Sequence, residues 1–381
     1  MHRRNYLSAA GAAGVAAFAG CLGGSQSRPD VAVETVVEGL THPWGLAVGG
    51  PTGALFLTER DPGQLSRVDT EAGTTTRIDG VPAVDAAGQG GLLDVTWGPD
   101  DTWMYLTYAI ANDAGETTTR FGRGQLANDD RLTDFEVLYT AEPYVDSNAH
   151  YGSRVTFGPE NYLYMTVGDR QFKNFGPEHV AQDPGNDLGT TLRLEADGSI
   201  PADNPFVDDE GARNGIYSYG HRNAQGLDVN PETGAIWESE FGESDGDEIN
   251  RINGGGNYGW PVADEGCTYD TGDPIGVSHD EREDVTEPIF GWPCGEDGPA
   301  PSGMTFYDGE MFPEWQGDLF VGGLVTQRVV HLVVDGDDVR EAEPLLSDRQ
   351  QRIRDLTVGR DGALYVAVDT GNAPILRLRP A

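Results

Sequence analysis

The sequence predicts an all-β fold, a six-bladed β-propeller with long loops over one face. Three observations predict it. A strand–turn–strand phrase recurs six times, 53 Gly and 23 Pro punctuate the 381 residues, and no run has the length and period of a long amphipathic helix. The copies are 45–59, 92–108, 154–169, 226–242, 303–322 and 353–369. Each is a short apolar strand, a Gly/Pro/Asp turn and an aromatic-rich strand ending near Thr, Gly or Asp. Apolar and small or polar residues alternate at the period of a strand. A hairpin cannot bury both of its faces alone, so repeated hairpins of this kind stack radially as blades. The copies begin about 50–75 residues apart, more than a plain blade needs, so the excess goes into loops. The longest such stretches, 109–148, 170–214 and 260–301, are expected to gather over one face and build a site above the channel.

The elements before the first copy read as an address. Arg3-Arg4 precede a short apolar run, 7–20, that ends in Ala19-Gly20 before Cys21. This pattern predicts a twin-arginine lipoprotein signal over 1–20, a lipidated tether over 21–30 starting at Cys21, and the propeller over 31–381. The chain is then exported and held on the outer face of the membrane by lipid alone. Its 63 acidic and 25 basic residues give a net charge of −38, which repels phosphate backbones and excludes nucleic acid as a natural partner. Lys173 is the sole lysine. An acid-rich surface with so little lysine suits concentrated salt, and an ordinary acidic secreted protein is the alternative. Beyond Cys21 only Cys267 and Cys294 remain, both in Gly/Pro/Asp-rich sequence, and they are expected to pair and close a loop.

The segments that lead into the copies carry the chemistry. Gln89 precedes the second copy, His150 the third, Arg222 and Asn223 the fourth, and Arg352 and Arg354 flank the start of the sixth. Equivalent strands of different blades enter around one end of the channel, so these residues are expected to converge. A histidine suits removal of an alcohol proton near neutral pH. Guanidinium forks suit carboxylates or quinone oxygens. Taken singly, His150 also reads as a structural hydrogen-bonder, and the adjacent Arg354-Asp355 as a plain ion pair. The acidic, Gly-rich run 240–259 offers the dense oxygen ligands that a hard cation such as Ca²⁺ requires, or else is a solvated loop.

The run 216–261, IYSYGHRNAQGLDVNPETGAIWESEFGESDGDEINRINGGGNYGWP, resembles the signature of the soluble aldose sugar dehydrogenases, which include the soluble glucose dehydrogenases. HPWGLAV (42–48), GQGGLLDVTWGPD (88–100), LRLEADGSIPADNPF (192–206) and RIRDLTVGRDGALYVAVD (352–369) extend the resemblance over nearly the whole chain after the leader. It implies a six-bladed propeller that uses pyrroloquinoline quinone (PQQ) and Ca²⁺ to oxidise an aldose and passes the electrons to an external acceptor. It implies His150 as the base, with Arg222 and Asn223 on the quinone oxygens and Arg222 stabilising the developing charge. It places Gln89 beside substrate and quinone, and Arg352 and Arg354 on the cofactor carboxylates. The carbonyls of Gly242 and Glu243 are implied as ligands of a cofactor-bound calcium, and Glu248 and Tyr258 as a separate calcium site. Three positions depart from the family. No lysine stands at 324–328, where Arg328 is a candidate substitute; Ala149 replaces an acid before the base; and Glu243 replaces a proline. A propeller that has lost quinone chemistry and serves as a surface binding module is the alternative, and a calcium-dependent lactonase ranks behind it.

Overall fold

The computed structural model describes residues 29–381; Arg3, Arg4 and Cys21 lie outside the described residues. Six four-stranded antiparallel sheets follow one another along the chain. Their innermost strands are Pro43–Gly49, Leu92–Trp97, Val155–Phe157, Ala224–Val229, Pro301–Phe306 and Ile353–Val358, here blades 1 to 6 in order. Each recurring phrase is the inner hairpin of one blade. The strand Val31–Leu40 pairs with Ala373–Pro380, so blade 6 takes its outer strand from the beginning of the chain. That pairing closes the ring of blades.

The core lies between blades. Phe56 of blade 1 meets Trp97 of blade 2 edge to face at 5.4 Å, and Trp237 of blade 4 meets Phe306 of blade 5 at 5.3 Å. Leu57, Leu106, Met165 and Leu332 are fully buried in the same layers. Each such side chain contributes about 1.5–3 kcal/mol by leaving water. Around the axis the inner strands approach too closely for side chains at some positions. A Cβ on Gly303 would lie 1.8 Å from Asp355 Oδ1, and one on Gly45 would lie 2.5 Å from Asp94 Oδ1.

Those two aspartates hold a plug across the channel. Arg154 Nη1 lies 3.0 Å from Asp94 and 2.9 Å from Asp355, and its Nε donates to the Gln225 carbonyl at 2.8 Å. Asp94 Oδ2 accepts from Val155 N–H, and Asp355 Oδ2, the oxygen that faces Arg154, also accepts from Leu46 N–H. One cation thus ties five blades together. Burial raises both carboxyls against the pull of Arg154, Asp355 to about 7. On the far side of the plug lies a cavity of about 170 Å³ lined by Thr96, Thr156, Thr305 and Thr357.

The expected loop lengths need one correction. Most of 109–148 is not an insertion, because Thr117–Ala127 and Arg131–Thr140 are the outer strands of blade 2. The loop excess lies in 170–214 and 260–301. The latter holds a two-stranded ribbon, Ala263–Cys267 with Pro274–Gly276. Cys267 and Cys294 form a disulfide that closes this loop, a cross-link worth about 2–4 kcal/mol. Its ends pin the turn after blade 4's second strand. Cys267 and Gly295 donate their N–H groups to the two Asp245 oxygens, and Ser244 N–H donates to the Cys267 carbonyl.

Candidate active site

The chain entering blade 3 turns sharply, with left-handed φ of 46° at His150, 60° at Gly152 and 74° at Ser153. Such values cost a non-glycine residue about 1–2 kcal/mol, so neighbours must enforce them. Gln89 Oε1 accepts from His150 N–H at 2.9 Å, and Asn223 Oδ1 accepts from Gly152 N–H at 3.2 Å. Two of the expected site residues therefore shape the loop through their amide oxygens. Arg222, next to Asn223, accepts from Asp169 N–H through its own carbonyl at 2.7 Å. His150, Gln89, Arg222 and Asn223 converge as expected.

His150 is buried, and its Nδ1 lies 2.7 Å from Asp169 Oδ1. Asp169 also accepts from Gln171 N–H at 2.8 Å and from Trp260 Nε1 at 2.9 Å. Burial opposes the Asp169 charge, but the His150 ring, with Arg222 and His179 behind it, outweighs burial and keeps the carboxyl below its ordinary range. An ionised Asp169 accepts, so His150 donates from Nδ1 and keeps the Nε2 lone pair free. Burial, reinforced by Arg222 and Lys173, holds the imidazole below the ordinary 6.5 despite Asp169. The result is an oriented neutral base. Sequence alone missed Asp169, Trp260 and His179. The signal for Asp169 was its place as the last residue of the third copy, matched by Asp369 in the sixth.

Arg222 Nη1 donates to the Phe241 carbonyl at 3.3 Å, Nη2 lies 2.5 Å from Glu243 Oε2, and the guanidinium stands 5.2 Å over the Trp260 ring. Its Nε is buried without a hydrogen-bond partner. Two blades on, Arg354 donates to Gln225 Oε1 at 2.6 Å and to Asp369 Oδ2 at 2.7 Å, and Arg354 Nε is likewise buried and unpartnered. Arg352 donates to the Leu324 carbonyl and reaches Asp369 at 3.4 Å. The adjacent Arg354 and Asp355 do not pair, because successive residues of a strand face opposite sides; Arg354 bonds Asp369, and Asp355 bonds Arg154. Arg328 is turned to Glu341, 2.9 Å away, and so does not replace the absent lysine at the mouth. Buried, under-satisfied guanidinium donors at the entrances of blades 4 and 6 match a planar ligand bearing several carboxylate and carbonyl oxygens.

Among the described residues, both places expected to bind calcium have ligands suited to a hard cation. Gly242 opens a tight turn in which a Cβ would meet the Asp245 carbonyl at 2.0 Å, and its N–H donates to Asp247 at 3.0 Å. The Glu243 carboxylate is taken by Arg222 and Lys173, which leaves its backbone carbonyl as the ligand. Deeper, Glu248 Oε1 is buried without a hydrogen-bond partner, with His279 Nε2 3.8 Å away. Burial, then Glu240 and Asp264, push Glu248 well above its ordinary range, and Asp264 itself is pushed to about 8, chiefly by burial. The Tyr258 hydroxyl donates to the Arg251 carbonyl, so only its backbone carbonyl, 3.3 Å from His279 Nε2, is suited to a cation.

The family model described as glucose/sorbosone dehydrogenase matches residues 40–377. The chain is 40% identical over 355 residues to the aldose sugar dehydrogenase YliI of Escherichia coli strain K12, covering 92% of this chain and 93% of that protein. Its structure resembles the apo-form of the soluble E. coli aldose sugar dehydrogenase with a TM-score of 0.85 at 37% identity, covering 92% of this chain and 100% of that one. The PQQ-bound form of an aldose sugar dehydrogenase from Streptomyces coelicolor is similar at a TM-score of 0.74 and 28% identity, covering 92% and 99%.

Proposed function

This chain belongs to the glucose/sorbosone dehydrogenase family and is an oxidoreductase of that family, and from that premise we propose that it oxidises the C1 hydroxyl of aldoses to lactones using PQQ and Ca²⁺. The observation that carries this reading is the neutral, oriented His150 beside an Arg222 whose buried Nε has no protein partner.

Bound PQQ supplies a two-electron acceptor for the hydride of the sugar C1. The protein does the rest. His150 Nε2 takes the hydroxyl proton as that hydride leaves, and Asp169 stabilises the imidazolium that forms. Arg222 offers its guanidinium to the oxygen on which negative charge grows. Arg352 and Arg354 would hold the cofactor carboxylates, and the amide nitrogens of Gln89 and Asn223 remain for substrate and cofactor. The Gly242 and Glu243 carbonyls would hold a calcium ion, and Glu248 with the Tyr258 carbonyl would hold a second. An external acceptor takes the electrons. The retained base and guanidinium set favours this activity over a binding module.

Titrating PQQ and Ca²⁺ into the purified protein, then adding a panel of aldoses, tests the proposal. Stoichiometric binding and sugar-dependent dye reduction are expected. A folded protein that binds PQQ but reduces no dye with any aldose overturns the substrate class. The proposal extends to export and to lipid on Cys21. Cys21→Ser is expected to move the protein from the membrane to the soluble fraction, and unchanged membrane retention would refute the anchor.

A further inference from the structure

The fold carries the only lysine of the chain, Lys173, to the mouth of the channel. Every other position bearing a fixed positive side chain is arginine. Lys173 Nζ lies 2.5 and 2.6 Å from the two Glu243 oxygens. Nζ also stands over the rings of Phe175 and Tyr269, 5.6 and 6.0 Å from their centroids. Glu243 is buried, and its Oε2 also meets Arg222 Nη2 at 2.5 Å. Three charges thus stand in series, from a half-exposed ammonium through a buried carboxylate to a buried guanidinium.

The order matters electrostatically. A carboxylate paired with Arg222 alone would cancel most of the field that the guanidinium presents to an incoming anion. With the ammonium bonded to both oxygens, the carboxylate is shared and the trio keeps a net positive charge. The shared bonds also fix the guanidinium against the Phe241 carbonyl and the Trp260 ring, leaving its unpartnered Nε in place.

We propose that Lys173 is a positioning residue that acts through Glu243, keeping Arg222 aimed and electropositive toward the anionic quinone. The proposal rests on the quinone reading above. It makes Lys173 a determinant of cofactor affinity without contact to the reacting atoms.

The test is an equilibrium titration of PQQ, followed by its absorbance, into the full chain with Ca²⁺ at moderate salt. It compares the wild type with Lys173→Met, Lys173→Arg, Glu243→Gln and the Lys173→Met/Glu243→Gln double variant. Lys173→Met is expected to weaken binding about tenfold, in the range of one charge-assisted hydrogen bond, and Lys173→Arg to recover most of it. Once Glu243 is neutral, the Lys173→Met change is expected to cost less than about twofold, because the cycle isolates coupling between the two. Equal binding by wild type and Lys173→Met overturns the proposal. So does an undiminished loss in the Glu243→Gln background, which would mean that Lys173 touches the ligand directly. Failure of the wild type itself to bind PQQ would overturn the quinone reading and this inference with it, and so tells the two failures apart.

Discussion

Two histidine–aspartate pairs stand at the same end of the inner strands, and their local geometry is nearly the same. His150 and His42 both lead into an inner strand, both adopt a φ of 46°, and both place Nδ1 against an aspartate that follows the second strand of a blade. The distances are 2.7 Å for His150–Asp169 and 3.1 Å for His42–Asp369. The surroundings differ. The His150 and Asp169 side chains are 6% and 1% exposed, with Trp260 and Arg222 closing over them. The His42 side chain is 32% exposed and shares Asp369 with Arg352 and Arg354. Burial leaves the first pair one free imidazole nitrogen, as the proposed base requires, whereas the second braces two arginines through Asp369. A repeated backbone supplies both, and only the environment assigns the chemistry.

The comparison breaks or sharpens under substitution. His150→Ala is expected to lower kcat by about 10³-fold or more while PQQ affinity and Tm hold, since a general base is worth about 10²–10⁴. Turnover that survives in His150→Ala and vanishes in His42→Ala would invert the two roles. Asp169→Asn is expected to cost about 10²-fold in kcat, because the imidazolium loses its partner. The pH profile sharpens this. Neutral His150 is the active form, so kcat/KM falls with acid through an apparent pKa below 6.5. Arg222 and Lys173 both disfavour the imidazolium, so Lys173→Met is expected to move that acid limb to higher pH. Loss of the Asp169 charge moves it lower.

Arg354→Met tests the brace. It is expected to weaken PQQ binding about tenfold with a much smaller change in kcat at saturation. A loss confined to kcat would place Arg354 at the reacting atoms instead. Calcium removal by a chelator is expected to lower Tm by a few degrees, about 2–4 °C for each kcal/mol of lost binding, and Glu248→Gln to blunt the response. The smallest effect expected is that of His42→Ala, within about threefold in kcat.

Much of the fold was legible because propeller blades are local. Each of the six copies contains both strands of an inner hairpin, so period and turn residues show within about 20 residues. His150, Gln89, Arg222 and Asn223 were legible as a group because equivalent blade entrances must meet at one end of the channel. Arg352 and Arg354 were legible as a pair at the start of the sixth copy, but not their tie to Asp369. The partners that give these residues their chemistry lay far away. Asp169 is 19 residues from His150, and Lys173 is 70 from Glu243.

By itself the sequence determined the number of blades, the end of the channel that carries the site, and the residue types available there. Alternation and turn chemistry are short-range, and six copies of them over-determine a closed ring. The tertiary structure alone decided which charges meet. Arg354 turns from its neighbour Asp355 to Asp369, Arg154 gathers two aspartates from other blades, and Lys173 reaches Glu243 over the mouth. Neighbours in a strand point to opposite faces, so partners come from adjoining strands or other blades, and only packing of the whole ring fixes those distances.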